Sequence, residues 1–148
     1  MLRVPPENSQ TMRKLIGFFL AATLVAACDS TAAAPTLQPK LSVLQSEIFA
    51  KSCVNSACHG EGVGAGSLSL KDTATSFAQL VGKESGEIDD LGKPMQRVEI
   101  GKPEKSVLWL VMDRPFGKAK NGMPPGIRLD QYKIDAVKAW ISAGAKND

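Results

Sequence analysis

Apolar residues recur at helical spacing in four segments of the chain, and no alternation of strands with helices is present. The first segment has a capping box at residues 42–45 and an apolar stripe of Leu44, Ile48 and Phe49 that leads into Cys53. The other three segments are residues 73–81, followed by Gly82; residues 103–112, with Pro115 beyond them; and residues 131 to about 143, with Asp130 as N-cap and Gly144 as stop. We therefore predict an all-α fold with long loops.

The longest apolar run lies near the N-terminus and is typical of an export signal. Arg13 and Lys14 precede 13 apolar residues, 15–27, whereas a bilayer-spanning helix needs about 20. We therefore predict that residues 1–27 are a signal peptide. Its pattern begins at Met12, which is an alternative start of the chain.

Residues 24–28, LVAAC, resemble the lipobox of bacterial lipoproteins. The resemblance implies that Cys28 is acylated and anchors the mature protein to a membrane on the periplasmic or cell-surface side of a bacterium. The alternative is a conventional signal peptide cut near Ala27. Residues 28–40 contain small residues and proline without apolar periodicity, so we predict a flexible tether, followed by one folded domain over residues 41–148.

The composition gives the chain only a small net charge. The chain has 148 residues, of which 43% are apolar and 5% aromatic, and its net charge is +3. Three basic residues and one acidic residue lie within residues 1–27, so the mature chain carries only +1. A net charge this small does not indicate a nucleic-acid-binding surface, so we expect no nucleic-acid partner.

The segment CVNSACHG, residues 53–60, holds two of the three cysteines and the only histidine. Covalent haem attachment needs two thiols and an adjacent imidazole, which are here Cys53, Cys58 and His59. The usual spacing has two residues between the cysteines, whereas this chain has four, which would bulge out between them. A Cys53–Cys58 disulfide and a copper or zinc site remain alternatives on the local motif alone.

The order of motifs between residues 48 and 145 resembles the small single-haem cytochrome c domains of planctomycete type. The resemblance implies a helical domain around one covalently bound haem c, with the first and last helices crossing. It implies that Cys53 and Cys58 carry the thioether links, that His59 is the proximal ligand and that Met123 is the distal ligand. The matching pieces are IF at 48–49, CVNSACHG at 53–60, SLSL at 67–70, IGKPEKSVL at 100–108, GMPPG at 122–126 and AWISAGA at 139–145.

The residues themselves also favour Met123 over the other methionines of the mature chain. Met123 stands between a glycine and a stiff Pro-Pro pair, which can aim its sulfur. Met112 lies four residues after Leu108 in an apolar segment, so we expect it in the core. Met95, in a polar loop, is the runner-up.

A haem iron with His and Met ligands has no open coordination position, so we expect a monohaem electron carrier and not an enzyme. One alternative is a catalytic or sensory haem protein of peroxidase type. The other is a non-haem module that holds a disulfide or copper. The expected partner is a redox protein that is acidic at its contact surface, because basic residues surround Met123 while acidic residues cluster elsewhere. The basic residues are Arg114, Lys118, Lys120 and Arg128, and the acidic ones are Glu84, Glu87, Asp89 and Asp90.

Overall fold

The computed structural model describes residues 33–60 and 64–148. The predicted signal peptide, Cys28 and the first part of the tether lie outside the described residues. The elements are helices α1 (Leu41–Leu44), α2 (Ala50–Ser52), α3 (Thr73–Leu80), α4 (Val107–Asp113) and α5 (Gln131–Ser142), strands β1 (Glu84–Ile88) and β2 (Pro94–Gln96), a π-helical turn (Gln45–Phe49) and two 3₁₀ turns (Ala65–Ser67 and Pro103–Lys105).

Helices α1 and α2 and the π-helical turn between them form one continuous helix over residues 41–52, which we call the first helix. The predicted apolar stripe is confirmed, since Leu44, Ile48 and Phe49 are fully buried. The predicted capping box at residues 42–45 is wrong, because the helix already begins at Leu41. The last residue of the chain caps it instead: Leu41 N donates to Asp148 Oδ1 at 3.0 Å, and Ser42 N donates to the Asp148 backbone oxygen at 3.0 Å.

The later helices follow the predicted segments closely. Asp72 caps α3 by accepting a hydrogen bond from Thr75 N at 2.7 Å. The segment predicted at residues 103–112 divides into a 3₁₀ turn and α4, which is buried over most of its length. Asp130 holds the N-cap position of α5, but its side chain pairs with Lys133 Nζ at 2.8 Å and does not cap the helix.

The predicted all-α fold class is wrong, because residues 84–96 form a two-stranded antiparallel sheet and the fold is mixed α and β. Its turn is built by Asp89, whose Oδ1 accepts hydrogen bonds from Leu91 N and Lys93 N at 2.9 and 2.8 Å. Gly92 supplies the positive φ of 76° that this turn requires. The turn of this hairpin is exposed and has few apolar residues around it. Helical periodicity therefore gave no signal for the hairpin.

The core lies where the first helix packs against α5 and α3. Phe49 and Trp140 are both almost fully buried in it, as expected for residues at the crossing of the two terminal helices. No helix within residues 33–60 and 64–148 is long and apolar enough to span a bilayer. The buried face of the first helix extends from Leu41 to Phe49, and the cysteine and histidine segment follows directly after the helix ends.

Candidate functional site

The loop over residues 53–60 begins where the first helix ends, and Asn55 organises it. The Asn55 backbone oxygen accepts hydrogen bonds from the N–H groups of Cys58 and Gly60, each at 3.1 Å, and its Oδ1 accepts one from Ala57 N at 3.0 Å. Residues 55–57 are exposed and lie in a turn between the two cysteines. The turn is tight, because a Cβ at Gly60 would lie only 2.7 Å from the Asn55 oxygen.

Cys53 and Cys58 are free thiols, each half-buried. Burial and, second, the nearby Cys58 thiol raise the pKa of Cys53 to about 11. Cys53 is therefore a neutral thiol near pH 7. Since metal ions bind the thiolate, a copper or zinc site would have to deprotonate a buried group here.

The His59 ring is held by a backbone carbonyl. Its Nδ1 lies 3.1 Å from the Leu68 oxygen, to which the Nδ1-protonated imidazole donates. The backbones of the two segments are also joined, because Leu70 N donates to the His59 oxygen at 2.8 Å. This arrangement leaves Nε2 as the ring nitrogen that can bind an iron or another electrophile. We call residues 53–60 together with residues 68–70 the histidine wall.

A cavity of about 360 Å³ lies beside the histidine wall, within the size range of cofactor sites. Its lining includes Cys53, His59 and Met123. The structure therefore places three of the four predicted haem-contacting residues on one cavity, while Cys58 stands next to His59 in sequence. Most of the remaining lining is aliphatic and includes Leu68, Leu70, Leu80, Val107, Leu108 and Val111.

The cavity lining also includes two of the three described methionines. Met123 follows Gly122, whose φ is 70°, and its backbone N–H donates to the Val111 oxygen at 2.7 Å. Met112 is buried, as expected for a core residue, but it also lines the cavity. Met95, the runner-up from the sequence, lies on β2 outside the lining. Met112 is therefore the second candidate for a ligand.

A short polar contact joins the hairpin to the loop before Met123. Lys118 N donates to Glu87 Oε1 at 3.0 Å, and Lys118 Nζ donates to the Gly86 oxygen at 3.2 Å. We call residues 84–88 together with residues 111–123 the methionine wall. The predicted acidic and basic clusters are therefore in contact at one point, because Glu87 of the acidic cluster contacts the loop that carries Lys118 of the basic one.

Arg97 is the second cation on the cavity lining, beside Lys118. Its guanidinium donates to the Gln79 oxygen at 3.0 Å and to the Gly66 and Ser67 oxygens at 3.0 and 3.2 Å. Burial lowers the pKa of Arg97 from its usual range, although arginine stays charged in proteins. The cavity is therefore apolar over most of its surface, and its lining includes the charged residues Glu87, Arg97 and Lys118.

Sequence reasoning named three residues that line the cavity, Cys53, His59 and Met123, but missed the residues that shape the rest of it. Leu68 was noticed only as part of the SLSL motif, and Arg97 and Glu87 were not assigned to the cavity at all. The signal for Glu87 was the Asp-Asp-Leu-Gly turn at residues 89–92, which marks a hairpin. Arg97 has no local signal, since its acceptors lie 18 to 31 residues away.

No family model, curated protein or solved structure was found to match the chain. Within residues 33–60 and 64–148, no three His, Cys, Asp or Glu side chains lie close enough together to hold a metal ion. The interpretation of the site therefore depends on its geometry and chemistry.

Proposed function

We propose that this protein is a monohaem c-type cytochrome that carries electrons, with haem linked through Cys53 and Cys58 and bound axially by His59 and Met123. The observation that supports the proposal most is the shared cavity, whose lining includes Cys53, His59 and Met123 although they lie up to 70 residues apart in sequence. Two free thiols beside an imidazole are the groups that thioether attachment consumes.

The lining also fits the chemistry of haem, which is a flat apolar ring with two carboxylates. Aliphatic side chains would contact the ring, and Arg97 and Lys118 are cations that could bind the carboxylates. When bound, a haem with these ligands supplies reversible one-electron transfer. Leu68 holds the His59 ring through Nδ1, and Val111 holds the backbone of Met123, so each ligand has a fixed support.

A catalytic or sensory haem protein is the second candidate, and one observation favours it. Glu87 is among the residues that line the cavity, so a carboxylate that could move a proton is close by, although His59 is the only histidine. This class requires that Met123 leave an open coordination position. The two functions therefore differ in whether the purified protein binds small ligands.

Ligand binding to the parent protein separates these two functions. We expect the ferrous protein to bind no carbon monoxide, and the ferric protein to show the weak near-infrared band of a methionine-bound iron and negligible peroxidase activity. Rapid binding of carbon monoxide, together with peroxidase activity that Glu87→Gln abolishes, would favour the catalytic function instead.

We also propose an acidic redox protein as the partner. Arg114, Lys118, Lys120 and Arg128 are all exposed, and Lys118 lines the cavity, which brings this basic surface next to the proposed haem. Charge reversal at Lys118 and Lys120 should slow electron exchange with an acidic partner at low salt and matter less at high salt. Equal rates for variant and parent at low salt would contradict the proposal.

Lys146→Glu is the matched control for this charge reversal. Lys146 is exposed and lies near the C-terminus, whose Asp148 caps the start of the first helix. Cys53 follows the other end of that helix, roughly 18 Å away along its axis. The control variant should leave the rate unchanged.

The proposed location is a membrane on the periplasmic or cell-surface side, with acylated Cys28 as the anchor. Residues 24–28 support this proposal by their resemblance to a lipobox, and Cys28 lies outside the described residues. Cys28→Ser should release the protein into the soluble fraction, as measured by fractionation and immunoblotting. Unchanged membrane association of the variant would contradict the lipoprotein assignment.

A further inference from the structure

Three polar side chains at the histidine wall and next to it are buried in the apolar interior. Gln45, Ser69 and Ser76 are between 0% and 8% exposed. Ser76 Oγ donates to Gln45 Oε1 at 2.8 Å, and Gln45 Nε2 donates to the Leu70 backbone oxygen at 2.7 Å. A chain of buried hydrogen bonds thus runs from α3 through the first helix to residues 68–70.

Residues 68–70 in turn form hydrogen bonds with His59 and Gly60. Leu70 N donates to the His59 oxygen at 2.8 Å, and Ser69 Oγ donates to the Gly60 oxygen at 2.7 Å. The Leu68 oxygen lies 3.1 Å from His59 Nδ1. The segment is therefore fixed on one side by Gln45 and contacts the histidine loop on the other.

The position of Gln45 makes this arrangement unusual for packing alone. Gln45 directly follows Leu44 on the buried face of the first helix, where an apolar side chain would pack against α3 without any need for a partner. A buried amide is tolerated only when its hydrogen bonds are made, and both ends of this amide are bonded. Gln45 also begins the π-helical turn, a feature frequently found at functional sites.

We propose that Gln45, held by Ser76, is a positioning residue for His59: it fixes residues 68–70, and thereby the carbonyl that orients the imidazole. The expected change in reduction potential rests on the proposed function. The orientation of the His59 ring does not, because it depends on the polypeptide alone. Loss of the support weakens the bond from Nδ1–H to the Leu68 oxygen, which makes the imidazole a weaker electron donor and raises the reduction potential.

The test compares two fully buried serines. Ser76→Ala removes the support of Gln45, whereas Ser106→Ala removes a hydroxyl that donates to the Lys102 oxygen and accepts from Glu99 N, outside the chain of bonds to His59. Gln45→Leu is the stronger variant. The readouts are the solvent exchange of the His59 Nδ1 proton, followed by ¹⁵N NMR, and the reduction potential. His59 is the only histidine, so its signal is unambiguous.

We expect Nδ1–H exchange about tenfold faster in Ser76→Ala than in the parent, the ratio that ~1.4 kcal/mol of lost hydrogen bonding produces. The potential should rise in the same variant, and Ser106→Ala should change neither. If Gln45→Leu fails to fold, the pair of serine variants decides the question alone.

Parent-like exchange in Ser76→Ala, or equal changes in both serine variants, would overturn the proposal and leave Gln45 a structural residue only. A purified chain without haem would overturn the proposed function instead. In that case the ¹⁵N shifts of His59 still report whether Nδ1 carries the proton in the parent and loses it in Ser76→Ala, so the two failures are distinguishable.

Discussion

The two walls of the cavity are held in different ways. The histidine wall is supported by hydrogen bonds that are buried, from Ser69 to Gly60 and from Gln45 to Leu70. The two parts of the methionine wall, residues 84–88 and 111–123, are joined to each other by bonds that are exposed, from Lys118 to residues 86 and 87. Exposed hydrogen bonds contribute less net stability and open more readily than buried ones.

A second cleft also borders the methionine wall. A smaller cleft of about 120 Å³ is lined by Met112 and Met123, which line the main cavity as well. The two methionines thus stand between the cavity and the cleft. We infer that the histidine wall is the more firmly held of the two.

The largest expected effect follows removal of the methionine ligand. Met123→Ala should abolish the near-infrared band of the ferric protein, allow carbon monoxide to bind the ferrous protein and lower the reduction potential, because the soft thioether stabilises ferrous iron. Visible spectroscopy and a redox titration measure these changes.

Met112→Ala is the matched control, since Met112 lines the same two cavities. It should retain the band and lose about 2–5 kcal/mol of unfolding free energy, as expected for truncation of a buried methionine. Loss of the band in Met112→Ala, with a normal spectrum for Met123→Ala, would show that Met112 is the ligand.

The next largest effect concerns Cys53 in the chain produced without haem. Burial raises the Cys53 pKa from 9.0 to about 11, so at pH 8 its alkylation should be about a hundredfold slower than in the urea-unfolded chain. Because folding raises this pKa, the related stability is present below pH 9 and is lost as the pH rises from about 9 to about 11. Equal alkylation rates in the folded and unfolded chains would show that Cys53 is not buried in the histidine wall.

A methyl group in the tight turn of the histidine wall should have the third largest effect. Gly60→Ala places a Cβ 2.7 Å from the Asn55 oxygen, and such overpacking costs about 1–3 kcal/mol. Gly92→Ala in the hairpin turn is the control, because nothing lies within 4 Å of its Cβ and only its φ of 76° is unfavourable. Urea denaturation should show a greater loss for Gly60→Ala, and the reverse order would show that the turn at Gly60 accommodates the methyl group.

The smallest effect is expected at the exposed contact of the methionine wall. Glu87→Ala removes the acceptor of Lys118 N and should cost less than about 1 kcal/mol. Glu87→Gln keeps an acceptor oxygen, so it should retain this stability, while both variants should raise the potential by removing a negative charge beside the cavity. A loss of several kcal/mol in Glu87→Ala would show that the methionine wall is as firmly held as the histidine wall.

The sequence predicted the helices and the histidine wall better than the methionine wall, because their signals are local. Leu44, Ile48 and Phe49 follow a helical period, and the cysteines and His59 lie within seven residues of one another. The hairpin has mostly exposed residues, so its only signal was the turn that ends at Gly92. The cap that Asp148 provides for Leu41 spans 107 residues and had no local signal.

Polar residues behind the site were missed for a related reason. Gln45 interrupts an apolar stripe, and that interruption was the available signal for a buried hydrogen bond. Its partners, Leu70 and Ser76, lie 25 and 31 residues away, so the network exists only in the folded chain. Arg97 is likewise held at the cavity by hydrogen bonds to carbonyl groups that are distant in sequence.

The mass of the denatured polypeptide tests the central claim most directly. The protein should be produced with haem maturation factors, denatured, treated with a thiol-alkylating reagent and measured intact. We predict a mass increase of one haem, with neither Cys53 nor Cys58 alkylated, because both thiols are consumed in thioether bonds. An unmodified chain with both cysteines alkylated, or a Cys53–Cys58 disulfide without haem, would contradict the account.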